Sequence, residues 1–265
     1  RHPQQVREHV HWQERPGVWG DGGPTSFWQF PVPAIDFGLI TADLANLKTL
    51  AQTSGIYLGS SGTNGYYLRF NANRTVDISR VTVLRPPVVG WDVAGVRRVE
   101  SNDIQTAVLI ETRAVPESGA IFVEDRVWVD GTVSGHVTVG SGRFPDNPAT
   151  RTNILINGNI LYTAKDGSDA LGLIAQQHVL IPRYSPDQLE VDAAVLAQNG
   201  SAQRYYYPGN ILDQLIVYGS VISNGIWTWA WVSGGGGIVS GYRNTDTTYD
   251  ANLTYGPPPG FPVGN

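Results

Sequence analysis

Cysteine and methionine are both absent from this sequence of 265 residues, and charged residues are scarce. Without cysteine the chain contains no disulfide and no thiolate ligand for a metal. Without methionine it has no initiator, which indicates a processed chain or one that starts inside a longer protein, so an export signal or anchor before Arg1 is compatible with it. Charged residues make up 15% of the sequence, against roughly 25% in ordinary globular domains.

Two further absences concern partners. The formal net charge is −5, and Arg97-Arg98 is the only adjacent pair of Lys or Arg residues. Binding to a phosphate backbone needs several convergent basic side chains, so the sequence argues against DNA as a partner. A run of 18 apolar residues is also missing, and we expect no membrane contact by this part of the protein.

The residues that are abundant predict an all-β protein. Glycine (31) and proline (17) are frequent, and 41% of the residues are hydrophobic. Short apolar runs separated by turn residues are typical of sheets with many short strands. The length is sufficient for one large all-β domain or two modest ones.

A short pattern recurs between residues 127 and 223. The copies Trp128–Val133, Leu155–Ile160 and Ile216–Val221 each read apolar, apolar, polar, Gly, small polar, β-branched. Looser copies lie around Leu173–Gln177 and Val191–Val195. The glycines are 27 and 61 residues apart (158 − 131 and 219 − 158), and two copies within the longer gap give steps of roughly 20 residues, as in solenoids.

Stacking explains why such a unit would repeat. One short strand cannot bury its apolar side alone, whereas stacked copies form a continuous core. We therefore predict a parallel β-helix, in which glycine allows the tight turns. The alternative is an antiparallel sandwich or jelly roll, although the links between strands do not resemble two-residue hairpins.

The predicted organisation has three parts. Residues 1–118 form an N-terminal cap region of mixed strands with one amphipathic helix, residues 119–250 form the solenoid, and residues 251–265 form an extended Pro-rich tail. The helix is predicted over Thr41–Gly55, with Thr41 as its N-cap and one apolar stripe along its length.

Aromatic residues are the candidate ligand-binding residues. On a strand over Ile226–Val232, alternate side chains share one face, so three indoles would lie together. If that face is buried, the indoles plug the open end of the solenoid; if it is exposed, they form a platform that stacks on sugar rings or bases. With a second aromatic cluster, the candidate ligand-binding residues are Trp227, Trp229, Trp231, Tyr205, Tyr206 and Tyr207.

A catalytic constellation is harder to find. The acidic candidates are Glu124, Asp125 and Asp130, but on one strand Glu124 and Asp130 would lie about 20 Å apart, beyond the ~5–9.5 Å between glycosidase carboxylates. A Gly-x-Ser-x-Gly elbow is absent. His9 and His11 would share a strand face, and we interpret them as solvated. We therefore assign no catalytic residue, no metal site and no cofactor.

The C-terminal half resembles a known family. The order of several short segments is similar to that of bacterial surface proteins associated with type IV pilus operons, whose folded part outside the membrane is a β-solenoid. The matching segments are 127–131, 153–160, 172–176, 189–194, 196–198, 217–220, 249–250 and 257–262. The resemblance covers about residues 119–262. It implies an exported, minor-pilin-like protein with an anchor in the missing N-terminal part.

These observations lead to one main functional hypothesis and one alternative. The main hypothesis is a non-enzymatic structural or adhesive protein on the cell surface or in a pilus, with other pilus or surface proteins, or further copies of itself, as partners. A solenoid end is an open strand edge, which makes self-assembly plausible. The alternative is a β-helix protein that acts on polysaccharide or binds a glycan.

Overall fold

The computed structural model describes residues 37–262, and the statements below concern this part of the chain. The first element is the helix α1 (Phe37–Ser54). It begins four residues before the predicted start (41 − 37), so the prediction that Thr41 is the N-cap is wrong. The apolar stripe reaches back to Ile40, which is buried with Leu44 and Leu47 against the sheet, and this packing extends the helix.

The 17 strands in residues 37–262 account for most of the regular structure. Their bounds are β1 Ile56–Leu58, β2 Tyr66–Asn71, β3 Thr75–Leu84, β4 Val88–Trp91, β5 Arg97–Glu100, β6 Ile104–Ala114, β7 Ala120–Val123, β8 Val127–Val133, β9 His136–Ser141, β10 Ile154–Tyr162, β11 Ala170–Ala175, β12 Val179–Leu180, β13 Gln188–Ala197, β14 Ala202–Gln203, β15 Ile211–Ser223, β16 Ala230–Val232 and β17 Ile238–Tyr249. A short 3-10 helix, Ala251–Thr254, follows them. The all-β prediction is confirmed.

Fifteen of these strands form one sheet, and β4 and β5 form a separate hairpin. Most pairs in the large sheet are parallel, and they form three columns. The first column contains β2, β8, β10, β12 and β14. The second contains β8, β10, β13, β15 and β17. The third contains β1, β7, β9, β11, β13 and β15.

The first column shows the regularity of the stacking. Val127 pairs with Ile154, Ile154 with Val179, and Val179 with Ala202, so the steps are 27, 25 and 23 residues (154 − 127, 179 − 154 and 202 − 179). These four side chains are fully buried in the main hydrophobic core. Aligned inward positions therefore make one continuous apolar column. None of these four residues belongs to the repeat copies named above.

The sequence copies are only partly neighbours in space. Leu155 and Ile156 of the second copy pair with Trp128 and Val129 of the first. The third copy, at Ile216, stacks instead on the looser copy beside Val191. The looser copy at 173–177 lies in the third column on β11, so it belongs to another side of the structure.

The parallel ladders begin before the predicted solenoid. Strands β1 and β2, which lie in the predicted cap region, pair parallel with β7 and β8. The sheet then ends in an antiparallel arrangement of β2, β3 and β6. The predicted boundary at residue 118 stays a prediction. Residues 1–36 of the predicted cap region, which include His9 and His11, lie outside the described part.

The outer side of the third column is covered by two segments. Helix α1 packs Leu44 and Leu47 against Phe122 and Ile174. The Pro-rich tail packs through Phe261, which contacts both this cluster and a smaller one around Leu253. A shallow groove of about 470 Å³ runs beside the tail. The described part of the predicted tail, residues 251–262, thus begins with a 3-10 turn and lies on the sheet.

Candidate functional site

The three consecutive tyrosines have different environments. Tyr205 and Tyr207 are buried, at 4% and 2% exposure, whereas Tyr206 is partly exposed. Tyr205 donates a hydrogen bond to Glu100 Oε2 at 3.2 Å. Burial raises the pKa of both buried tyrosines above the usual value. Of the three predicted ligand-binding tyrosines, Tyr206 therefore has a side chain that reaches the surface.

The predicted tryptophan face does not form. Strand β16 covers only Ala230–Val232, so the residues before it do not alternate as in a strand. Trp229 is buried in the main core, where Tyr242 also lies. Trp227 is 49% exposed and Trp231 is partly exposed. Trp229 is therefore a core residue, whereas Trp227 and Trp231 keep the surface alternative open.

Three partly exposed rings form a row that combines two sequence-predicted residues with one that sequence reasoning missed. Tyr206 lies between Trp91 and Trp231, with ring centroids 5.8 Å apart on each side and interplanar angles of 55° and 60°. The Trp91 N–H donates to Tyr206 O at 3.1 Å, and the Tyr206 N–H donates to Trp91 O at 2.8 Å. We call Trp91, Tyr206 and Trp231 the aromatic row.

Trp91 could not be found from sequence spacing, because it lies 115 residues before Tyr206 (206 − 91). Strand β4 carries it, and an isolated antiparallel bridge joins β4 to the tyrosine segment. The available signal was the apolar run that follows Pro86-Pro87 and ends in tryptophan. That run predicts a short strand but not its partner.

A buried arginine supports the segment beneath the aromatic row. The Arg204 guanidinium donates to Arg183 O at 3.1 Å and also bonds Asn210. It lies 5.1 Å from the centre of the Tyr207 ring, and the Arg204 carbonyl accepts from Trp231 Nε1 at 2.9 Å. Burial lowers the pKa of Arg204. These contacts fix the orientation of Tyr207 and Trp231 relative to each other.

The first two acidic candidates hold neighbouring segments in place. Glu124 accepts hydrogen bonds from Lys48 of α1 and from Tyr57 Oη, the latter at 2.8 Å. Asp125 accepts from the Ser61 backbone N–H at 3.0 Å and from Ser61 Oγ at 2.7 Å, and Arg143 Nη2 lies 3.2 Å from its other oxygen. Their carboxylate oxygens are thus bonded to parts of the protein.

Asp130 lies in a separate polar depression of about 280 Å³ on the outer side of the second column. Tyr67 Oη donates to Asp130 Oδ1 at 2.7 Å, and Asn157 Nδ2 donates to Oδ2 at 2.8 Å. Arg69 and Asn159 line the same depression. The arrangement offers several hydrogen-bonding groups to a polar ligand, but Asp130 is already bonded through both oxygens.

A polar cluster further along the second column centres on Lys165. Its Nζ lies 2.8 Å from Asp192 Oδ1 and 2.7 Å from Glu190 Oε1, and 4.7 Å from the centre of the Tyr218 ring. Burial raises the pKa of Asp192, although the Lys165 ammonium lowers it in part. Partial burial alone would lower the pKa of Lys165, but the two carboxylates outweigh it and raise that pKa.

Residues 37–262 contain neither a spanning helix nor a clustered metal site. None of the helices described there is both long and apolar enough to cross a bilayer. The same residues contain no cluster of three or more His, Asp or Glu side chains arranged to hold a metal ion.

Comparison with known proteins gives one weak structural likeness. No protein family matches the sequence, and no curated protein is similar to it. The crystal structure of the competence-associated pilin ComZ from Thermus thermophilus superposes with a TM-score of 0.29 and 13% identity. The match covers 76% of this chain but only 42% of that pilin. A TM-score of this size does not establish a common fold.

Proposed function

We propose that this chain is a non-enzymatic structural protein of the cell surface or of a pilus, with a β-solenoid body and open ends for assembly. One observation carries the proposal: the sheet is built from parallel columns, of which the first stacks from Val127 to Ala202 in steps of 23–27 residues. Within residues 37–262 the sheet ends at β6, and at β17 beyond its first residues, where each strand is paired on one side. The sequence resemblance to pilus-associated solenoid proteins supports the same reading.

Both ends of the sheet support assembly. At one end, β17 pairs with β15, and only its first residues also pair with β16. Its residues from Arg243 to Tyr249 are exposed. At the other end, β6 pairs with β3. Unpaired backbone N–H and C=O groups on such edges are templates for another strand.

Negative-stain electron microscopy and sedimentation velocity over a concentration series test this proposal. We expect short rods at low concentration and joined particles at higher concentration. Particles that stay monomeric throughout, and that do not bind to isolated surface appendages of the producing cell, would overturn the proposed assembly role. Release of reducing sugars from any polysaccharide in a panel would overturn the non-enzymatic part.

Glycan binding is a second candidate function, favoured by the aromatic row. Tyr206 and Trp231 expose part of their rings, and Trp227 is exposed nearby in the sequence. Aromatic rings provide contact area at low entropic cost, and each aromatic pair contributes about 0.5–1.5 kcal/mol beyond burial.

A glycan array followed by calorimetry on any hit tests this second function. Tyr206→Ala should weaken binding by roughly 2- to 12-fold, the equivalent of one aromatic contact. Tyr184→Ala is the matched control, because Tyr184 is 50% exposed outside the aromatic row. An empty array, or equal losses in both variants, would count against the aromatic row as a glycan site.

A further inference from the structure

The hairpin of β4 and β5, which carries Trp91, has one face against the protein and one face outward. Gly90 lies on the inner face, since a Cβ there would be 2.8 Å from the Tyr207 ring and 3.1 Å from Tyr205 Cβ. Side chains alternate between the two faces along a strand, so Trp91 points outward. Arg97 is paired directly opposite Trp91. Opposite residues share a face, and Arg97 therefore points outward too.

Arg97 extends the aromatic row by one position. Trp91 has Arg97 opposite it on β5 and Tyr206 opposite it on the other side, through the isolated antiparallel bridge. Neighbours of this kind have Cβ atoms about 4.5–5.5 Å apart. Trp231 follows, with its ring centroid 5.8 Å from that of Tyr206. The outward surface thus carries a guanidinium followed by three aromatic rings.

The two adjacent arginines of the hairpin differ in what balances their charge. Arg98 lies on the inner face and donates from Nε and Nη2 to Asp92 Oδ2, at 2.8 and 2.6 Å. Asp92 is 4% exposed and also accepts from the N–H groups of Ala94 and Val96. Arg97 is exposed and belongs to none of the ion pairs formed among residues 37–262. Its positive charge is therefore available to a ligand.

The outward face of the hairpin combines this charge with apolar groups. Val89 and Val99, which are paired opposite each other, are 37% and 51% exposed there. The hairpin's second carboxylate, Glu100, alternates to the inner face, where it accepts a hydrogen bond from Tyr205 Oη. The outward face is thus apolar with one cation, which suits a ligand that has apolar surfaces and a negative group.

We propose that Arg97 and the aromatic row bind a glycan that carries a carboxylate. The Arg97 guanidinium binds the carboxylate of one sugar, and the rings of the row contact the neighbouring sugars. A guanidinium can donate two parallel hydrogen bonds to a carboxylate, which fixes its orientation as well as its position. The proposal rests on glycan binding as the second candidate function and specifies the class of glycan.

The charge of the chain favours a glycan over a nucleic acid on the same rings. Bases also stack on aromatic side chains, but a phosphate backbone has a charge on every nucleotide and needs several convergent basic groups. The row has one cation, Arg97, in a chain whose formal net charge is −5. A glycan with alternating acidic and neutral sugars requires one cation beside several rings, and that is the arrangement present.

The surface is held in place before any ligand binds. Trp91 and Tyr206 exchange two backbone hydrogen bonds. The Val93 N–H, in the turn of the hairpin, donates to Gln203 Oε1 at 3.0 Å. These bonds fix β4 against the tyrosine segment, so binding orders few main-chain groups and little affinity is lost to that ordering.

Calorimetry with a matched pair of sugars tests the proposal. The first probe is a hexasaccharide of alternating glucuronate and N-acetylglucosamine, and the second is the same hexasaccharide with its carboxylates reduced to alcohols. The acidic probe should bind more tightly. Arg97→Gln should weaken its binding roughly 2- to 10-fold and leave binding of the reduced probe unchanged. Arg97→Lys should give a smaller loss, because it keeps the charge but not the two parallel hydrogen bonds.

Two further variants serve as controls. Arg113→Gln removes the same charge at an exposed position of β6, so it should change binding of neither probe. Tyr206→Ala removes a ring that both probes contact, so it should weaken both. Added salt should weaken binding of the acidic probe to the unmodified protein more than to Arg97→Gln, because salt screens the charge pair.

The outcomes separate this proposal from glycan binding in general. Equal binding of the two probes, or equal losses in Arg97→Gln and Arg113→Gln, would overturn the role of Arg97 and leave glycan binding by the row intact. If neither probe binds and the glycan array is empty, both proposals fail. An oligodeoxythymidylate that binds more tightly than the acidic probe, and is lost in Tyr206→Ala, would assign the row to nucleic acid and overturn the proposal.

Discussion

At the scale of single residues, Asp169 shows how one carboxylate closes the loop between β10 and β11. It is 3% exposed and accepts hydrogen bonds from the Gly135 N–H at 2.7 Å, from Thr163 Oγ1 at 2.5 Å and from the Ala164 N–H at 2.9 Å. Asp169→Asn should lower the free energy of unfolding by about 1–3 kcal/mol, because buried donors lose a charged acceptor. Urea denaturation measures this loss. Asp166→Asn in the same loop, an exposed position, should have little effect.

The same carboxylate predicts a pH dependence. Burial alone would raise the pKa of Asp169, but the hydrogen bonds from Thr163, Gly135 and Ala164 outweigh it and lower that pKa. The unfolded chain, with a pKa of about 3.9, therefore takes up the proton first as the pH falls. The stabilisation is present above that value and is lost as the pH falls through the lower folded-state pKa.

Denaturation midpoints measured from pH 7 down to pH 2 check this sign. Asp169→Asn should reduce the difference in stability between neutral and acidic pH. Asp166→Asn should reduce it less, because the exposed Asp166 carboxylate, whose pKa is lowered by hydrogen bonds from Ser168, has fewer donors around it. A steeper acid loss in Asp169→Asn than in the unmodified protein would contradict the assignment.

Residue-level predictions from sequence went less far than the fold class. The three consecutive tyrosines were grouped as candidate ligand-binding residues, but Tyr205 and Tyr207 are buried and Tyr206 is partly exposed. The three tryptophans were grouped by alternation along a strand, but β16 starts only at Ala230, and Trp229 is buried in the core. Trp91 joins Tyr206 through contacts between distant segments, which no local pattern reports.

At the scale of elements, the three repeat glycines have different roles. Gly131 has φ +106°, and a Cβ there would lie 2.1 Å from Phe70 O; Gly219 has φ +150°, and a Cβ there would lie 2.0 Å from Ala193 O. At Gly158, φ is not in the left-handed range and the nearest atoms belong to the Asp130 side chain, at 3.2 Å or more.

Alanine substitution of the repeat glycine should therefore destabilise the three copies to different extents. Gly131→Ala and Gly219→Ala should each cost at least roughly 1–3 kcal/mol from backbone strain, with the clash in addition. Gly158→Ala should change the free energy of unfolding by well under that amount. Chemical denaturation of the three variants side by side checks this, and equal losses would show that the repeat glycines are interchangeable.

Helix α1 gives the second prediction at this scale. Leu47 is 1% exposed and packs in the cluster that contains Phe122 and Ile174. Leu47→Ala should cost about 2–5 kcal/mol, as for other buried leucines. Leu50→Ala, at a partly buried position of the same helix, should cost less. Thermal and urea unfolding measure both, and a larger loss at Leu50 would contradict the observed packing.

The types of the elements were easier to predict from the sequence than their first and last residues. The helix was expected because its leucines recur at helical spacing, but its start was misplaced since the packing of Ile40 carries the helix back to Phe37. The repeat copies predicted stacked strands, and two of them do stack directly. The column to which each copy belongs depends on corners between strands, which the short motifs do not encode.

At the scale of the whole molecule, the columns determine which surfaces are open. Helix α1 and the tail cover the third column, and the tyrosine segment covers part of the first. The second column presents polar groups such as Lys165 and Asp130 outward. Composition predicted this lightly charged, all-β body, whereas the antiparallel end at β6 was not foreseen, because pairing of β3 with β6 does not follow the repeat.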